Sequence, residues 1–276
     1  MSVSASYVFK ETLLKMEGVS KALGGAPILR DFNLEIKNVV RPGMTQGQVV
    51  SILGPSGMGK TTLFRILAGL MHPDSGTVRV GPDLHPVKRG TVGVVTQNYL
   101  LFPNRTVQGN LEIAGKQAGF SGAEAKEKAR SIMQRFGVLD QAGKYPCQLS
   151  GGQRQRVAIA QQFLCSDHFM LMDEPFSGLD ILAKSKVCGF LTEVAATAEQ
   201  ITFILVTHDI LAAIEVSDTI LVIGRDWDEH GVPIPGAKLR KSFNLIELGL
   251  AWQHDIRRLP GYQELFYEIC ALFPKL

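Results

Sequence analysis

The sequence predicts an α/β fold in which a mostly parallel sheet is covered by helices on both faces. Three observations carry that expectation. Short apolar, β-branched runs alternate with helix-period segments through most of the 276 residues. One such run, residues 49–53, leads straight into Gly54-Pro55-Ser56-Gly57-Met58-Gly59-Lys60-Thr61-Thr62, and Leu63, Phe64, Ile66, Leu67 and Leu70 continue it at helical spacing. A further apolar run, 169–172, ends in Asp173-Glu174, two acids at the end of a buried strand.

In chain order, 13–19 and 28–36 read as two strands joined through Gly24-Gly25, an N-terminal antiparallel β subdomain. Strict alternation over 31–36 gives the second strand one wet face. Residues 38–48, with Pro42-Gly43 and Gly47, read as a loop. After the first helix come a turn at 72–76, a strand over 77–80, a loop over 81–90 and a strand over 91–96. Residues 106–137 are helical with a break near 119–122, where Ser121 caps the second half and Glu124 completes a capping box. Pro146 stops the next segment. Helices are expected over 153–163, 182–198 and 210–216, and strands over 169–172, 201–206 and 219–223. Beyond Gly224, residues 226–237 read as a hairpin or loop, and 244–250 and 262–273 as short amphipathic helices. The expected division is one domain over 1–224, whose helical subdomain spans about 98–164, and a C-terminal extension over 225–276 packed on or near it.

Bulk properties narrow the function. A formal net charge of +3 offers no field for general nucleic-acid binding. Cys147, Cys165, Cys188 and Cys270 form no C-x-x-C pair and read as reduced thiols. Residues 1–10 lack a signal-peptide pattern, and nowhere do eighteen apolar residues follow one another, so the chain is not expected to cross a membrane by itself.

The stretch from Gly54 to Thr62 fits the P-loop pattern G-x-x-x-x-G-K-[ST] without a mismatch. Its glycines permit turns that bring successive N–H groups to an anion, and the helix start adds about half a positive charge. Lys60 supplies a point charge for the outer phosphates, and the Thr61 hydroxyl can ligate Mg²⁺. Asp173 can hold the same ion, and Glu174 can orient or deprotonate an attacking water. These residues point to a nucleoside triphosphate. Leu149-Ser150-Gly151-Gly152-Gln153 opens another helix with a second anion-binding geometry, which a lone P-loop domain does not need.

With that five-residue stretch, the chain resembles the ATP-binding cassette (ABC) ATPases, whose signature reads Leu-Ser-Gly-Gly-Gln. P-loop, signature and acid-ended strand follow in the family's order, and the likeness covers roughly residues 13–223. It implies a P-loop NTPase core with the signature on the helical subdomain, ATP and Mg²⁺ as ligands, and ATP hydrolysis coupled to transport. By position, Gln97 matches the glutamine that touches Mg²⁺ and senses a membrane partner. Ser177-Gly178-Leu179-Asp180 matches the dimer-contacting loop, and His208 the histidine on the γ-phosphate. The resemblance thus implies Lys60, Glu174 and His208 as catalytic residues and Thr61, Gln97 and Asp173 as the metal set. One landmark departs: Leu23 stands where the family often has an aromatic residue for the adenine, which leaves the apolar contact without the ring face.

The resemblance also implies partners: a second cassette in a head-to-tail homodimer, permease chains, and a substrate-binding protein in a complete import system, with no nucleic acid. The expected location is the cytoplasmic face of the inner membrane, peripheral through the permease. The apolar segment 98–107 would receive a permease helix. Overall the chain is similar to cassettes of the nitrate, sulfonate and taurine uptake group. The alternative is a soluble ABC ATPase acting on nucleic acid or the ribosome. The short interval between Lys60 and Ser150 leaves no room for the coiled coil such relatives carry.

Overall fold

The computed structural model describes residues 7–40, 47–166, 169–197, 201–253 and 255–276. The strands are β1 (Val8–Leu23), β2 (Ala26–Val40), β3 (Gln48–Leu53), β4 (Ser75–Val80), β5 (His85–Pro86), β6 (Gly93–Val95), β7 (Phe169–Asp173), β8 (Thr202–Thr207), β9 (Thr219–Trp227) and β10 (Pro233–Asn244). The helices are α1 (Lys60–Leu67), α2 (Val107–Gln117), α3 (Gly122–Arg135), α4 (Gly151–Cys165), α5 (Ile181–Thr197), α6 (Ile210–Val216) and α7 (Pro260–Leu272). All ten strands join one sheet in the order β5-β4-β1-β2-β10-β9-β3-β8-β7-β6. From β9 to β6 every neighbouring pair is parallel, whereas β5, β4, β1 and β2 pair antiparallel.

The parallel strands are apolar throughout because both faces are covered. Ile52, Leu171, Ile204 and Val206 belong to a core shared with α1, α6 and α7. Their neighbours Val49, Met170, Met172, Phe203 and Leu205 belong to a second core shared with α2 to α5. In β2 the alternation expected over 31–36 is met: Phe32, Leu34 and Ile36 are buried, and Asp31, Asn33 and Glu35 are exposed. Ser121 caps α3 and Glu124 closes the capping box.

Several expectations are corrected. Residues 38–40 continue β2 rather than opening a loop, and 41–46 lie outside the described residues. The strand expected over 91–96 is confined to β6. Pro146 opens a 3₁₀ turn, Pro146–Gln148, instead of ending a segment. Residues 245–249 form turns and not a helix. There the Asn244 side chain accepts the N–H of Ile246 at 3.1 Å and of Glu247 at 3.3 Å, so a local side-chain turn outcompetes the helix. The hairpin beyond Gly224 is β9–β10, and its second arm runs on to Asn244. Residue 224 lies inside β9, and β10 stands between β9 and β2, where Ala237 pairs with Leu29.

β9 also supports the phosphate loop. A Cβ at Gly54 would sit 2.8 Å from Ile223 Cγ1 and 3.1 Å from the Ile223 carbonyl oxygen. We expect Gly54→Ala to cost about 1–3 kcal/mol, the range for forcing one extra carbon into a packed site, and to weaken nucleotide binding. Thermal unfolding with and without nucleotide measures both; wild-type values would remove this contact from the account.

Candidate functional site

Three parallel strands end at one level. Leu53 of β3 lies opposite Thr207 of β8, and Asp173 of β7 pairs with Val206 of β8. The residues after each strand therefore meet beyond one edge of the sheet, where ligands of such folds bind. Gly57 and Gly59 adopt left-handed φ values of 79° and 81°, turning the chain into α1. No side chain caps α1, which leaves its start to a ligand. Lys60 Nζ donates to the carbonyls of Gly54 at 2.8 Å and Pro55 at 3.0 Å, closing the loop over its own ammonium. Burial lowers the Lys60 pKa, while Glu174 and Asp173 act to raise it.

A cavity of 400 Å³ forms here. The loop contributes Ser56, Gly57, Gly59, Lys60, Thr61 and Thr62; the end of β7 contributes Asp173 and Glu174; β2 contributes Ile28. Gly54 packs behind it on Ile223, and Met58 is buried. Of the three residues expected to hold Mg²⁺, Thr61 and Asp173 share the cavity and Gln97 does not line it. The Asp173 carboxyl is pushed above the usual carboxylate range, first by burial and next by Glu174, against the pull of Lys60 and Arg65. A half-buried acid pair beside a hydroxyl fits Mg²⁺, which takes few protein ligands and completes its shell with water and phosphate oxygens.

Glu174 is held on every side. It adopts φ 46°, uncommon outside glycine. Its N–H donates to the Val206 carbonyl at 2.8 Å, and its carbonyl accepts the Ser177 N–H at 3.1 Å. Oε2 accepts the Thr207 hydroxyl at 3.1 Å, and Oε1 lies 2.9 Å from His208 Nδ1. An ionised carboxylate only accepts, so Nδ1 carries the proton. His208, expected at the γ-phosphate, is here brought to Glu174. Gln97 is not among the cavity-lining residues; its amide donates to Ser177 Oγ at 3.1 Å, and the nearby Tyr99 hydroxyl donates to the Pro175 carbonyl at 3.1 Å. The loop after β6 is therefore tied to the loop after β7. Burial pushes the Tyr99 hydroxyl up to about 12.

Ser150, Gly152 and Gln153 line a different cavity, of 490 Å³, together with Asp180. The two cavities share no lining residue. Ser150 Oγ accepts the Gln153 N–H at 3.3 Å, and Gln153 Oε1 accepts the Ser150 N–H at 3.0 Å, so a capping box presets this helix start, with Gly151 exposed beside it. Asp180 Oδ1 accepts the Ala183 N–H at 2.8 Å and caps α5. Two residues at the site escaped sequence reasoning. Ile28 lies at an irregularity of the β1–β2 pairing, between Pro27 and Leu29, and reaches the cavity there, whereas Leu23 sits exposed beside the connecting turn. Thr207 was legible in principle as a hydroxyl at a strand end, directly before His208.

Known proteins resemble this chain over most of its length. The family model described as ABC transporter matches residues 38–177. The glutamate transport ATP-binding protein GluA of Corynebacterium glutamicum is 38% identical over 217 residues, covering 76% of this chain and 86% of its own length. The sulfate/thiosulfate import ATP-binding protein CysA of Mesostigma viride is 35% identical over 229 residues; the match covers 79% of this chain and 63% of that relative, so the chain spans less than two thirds of its length. Among solved structures, cbiO1 of Clostridium perfringens, part of the ABC transporter complex cbiONQ, superimposes with a TM-score of 0.71 at 26% identity, covering 87% of this chain and 91% of that one.

Because the Asp173 carboxyl titrates above its ordinary value, its ionised form costs stability at neutral pH, and that cost vanishes as pH falls through the raised value. Asp173→Asn should therefore raise the Tm of the nucleotide-free protein at neutral pH, by about 2–4 °C for each kcal/mol relieved. The gain should shrink on acidification, and Mg²⁺-dependent nucleotide binding should fall. A lower Tm at neutral pH would contradict the charge argument.

Proposed function

The chain belongs to the ABC transporter family, ATPases coupled to transport, and from that premise we propose that two copies pair head to tail to drive a membrane importer. The observation that carries the mechanism is the placement of Glu174 between the Lys60 cavity and the Thr207-His208 strand end. ATP sits with its phosphates on the P-loop, Lys60 neutralises their charge, and Thr61 and Asp173 would hold Mg²⁺; Gln97, whose amide donates to Ser177, would join them only after turning into the cavity. Bound Mg²⁺ supplies charge compensation to the phosphates. Glu174 orients a water in line with the γ-phosphorus and takes its proton as the new P–O bond forms and ADP departs. His208, with Nδ1–H committed to Glu174, reaches a phosphate oxygen as a donor through Nε2 in the doubly protonated ring, or after the ring turns.

The separation of the two cavities supports pairing. Ser150–Gln153 of one copy close over the nucleotide on the P-loop of the other, and Asp180 lies at the same face. Enclosure surrounds the reacting phosphate with fixed dipoles, and hydrolysis removes the shared contacts so that the pair opens. Leu100 and Phe102 are exposed apolar residues on the segment after Gln97, a surface suited to an apolar helix from a permease. No helix among the described residues is long and apolar enough to cross a membrane. In this reading the subunit works at the cytoplasmic face of the inner membrane, held there by permease chains, with a substrate-binding protein completing the import system. The finer reading, uptake of nitrate, sulfonate or taurine, rests on overall sequence likeness. Cargo chemistry is read by the permease chains, and an ATPase subunit never touches it.

Glu174→Gln should retain ATP binding, lose about 10²–10⁴-fold in turnover, and accumulate an ATP-dependent dimer measurable by light scattering. A variant that hydrolyses like wild type, or stays single with ATP bound, would overturn this reading. No aromatic ring is among the cavity-lining residues, so GTP should compete with ATP within about tenfold, short of the discrimination that a built hydrogen-bonding site achieves. Competition binding checks this; strong ATP preference would show another adenine contact.

A further inference from the structure

We propose that Thr207 is a positioning residue for hydrolysis, fixing the Glu174 carboxylate through its hydroxyl and tying it to helix α5 by way of Asp209 and Lys184. The inference rests on the reading of Glu174 as the water-activating base.

Thr207 closes β8 fully buried, at 0% exposure. A hydroxyl has one proton to give. The Asp209 N–H, which can only donate, points at Thr207 Oγ1 at 3.1 Å, so the hydroxyl oxygen accepts there. Its single proton is left for Glu174 Oε2, at 3.1 Å. The polarity of the bond is therefore set by the backbone and not by rotamer choice. His208 takes the other carboxylate oxygen, so neighbouring residues grip both oxygens of one carboxylate. The two grips differ in kind: the His208 side chain is half exposed, whereas the Thr207 hydroxyl cannot be replaced by solvent. When His208 moves to a phosphate, Thr207 remains and keeps the carboxylate plane from turning.

The chain of contacts continues. Asp209 caps α6 through Oδ1, accepting the Ala212 N–H at 3.0 Å, while its Oδ2 meets Lys184 Nζ at 2.6 Å. Lys184 lies in the first turn of α5, directly after the Asp180 cap, and its neighbours Ala183 and Lys186 line the signature cavity. A continuous path thus joins the face expected to meet a second copy with the carboxylate that activates water: Lys184, Asp209, Thr207, Glu174. Seating of a partner against the start of α5 biases the orientation of Glu174 through that path.

The test is ATPase kinetics on the full chain, with Glu174→Gln as reference. Thr207→Val keeps the branched shape and removes the hydroxyl; Thr207→Ser restores the hydroxyl. Thr207→Val should lower kcat by about 10- to 100-fold, as expected for loss of one hydrogen bond to a charged group, with KM for ATP within about threefold of wild type. Thr207→Ser should recover kcat to within about threefold. Lys184→Met should also lower kcat, and adding it to Thr207→Val should change little further, because both act through one path. Should the valine variant not fold, Thr207→Ala is judged by the same thresholds. Wild-type kcat without the hydroxyl, a rise in KM alone, no rescue by serine, or independent multiplication of the two effects would overturn the inference. If Glu174→Gln is inactive in those cases, the reading of Glu174 stands; wild-type hydrolysis by Glu174→Gln would instead remove the base itself.

Discussion

The in-phase ending of β3, β7 and β8 is the constraint on which the site depends. Parallel pairing with Leu53 opposite Thr207 and Asp173 beside Val206 sends three chain segments out of the sheet at one height. A slip of one residue in β7 would turn Asp173 and Glu174 to opposite sides of their present positions. That slip is barred by burial on both faces, since Leu171 and Met172 each enter a different core. The precision of the polar site is thus enforced by apolar packing below it, and the polar residues contribute little to holding themselves in place.

The electrostatics complement that arrangement. Lys60, Asp173 and Glu174 stand together in partial burial; the two acids act to raise the Lys60 pKa, while Glu174 raises that of Asp173 and Lys60 lowers it. The Asp173 and Glu174 carboxyls face the Lys60 ammonium, with Arg65 also acting on Asp173, and the Thr61 hydroxyl beside them completes a donor set that suits a divalent ion. The ammonium itself is occupied by the carbonyls of its own loop, which holds the lysine in a defined place before any phosphate arrives.

Much of this was legible in the sequence, for identifiable reasons. The P-loop, the acid-ended strand and the signature helix are local patterns whose spacing carries their geometry, so strand, turn and helix fell where expected. The two-faced cores followed from the continuous apolar runs at 49–53, 169–172 and 201–206. What escaped were features set by pairing between distant segments. β10 has polar and charged residues along much of its length, including Lys238, Arg240 and Lys241, so the hairpin or loop expected over 226–237 stops short of its second arm, which runs on to Asn244. Ile28 lines the nucleotide cavity at an irregularity where the β1–β2 pairing shifts between Pro27 and Leu29, and Thr207 acquires its meaning only when Glu174 is placed beside it. The expected helix over 244–250 fails because Ile246 and Leu250, four residues apart and both packed on the core, mimic helical spacing while anchoring irregular chain.

The place of β10 between β9 and β2 has a consequence for biosynthesis. Ile28, two residues before Arg30 on β2, packs close to Gly59, where an added Cβ would lie 2.8 Å from Ile28 Cγ2. Yet the sheet connects β2 to the parallel strands only through β10, whose Ala237 meets Leu29. As the ribosome delivers the chain from its amino end, the early hairpin can pack on α1 soon afterwards, but its hydrogen-bonded link to the parallel strands waits for β10, about two hundred residues later. The hydrogen-bonded frame of the nucleotide pocket is therefore closed late: its β2 wall is among the first parts made, and its place beside the parallel strands is fixed in the sheet only when β10 arrives.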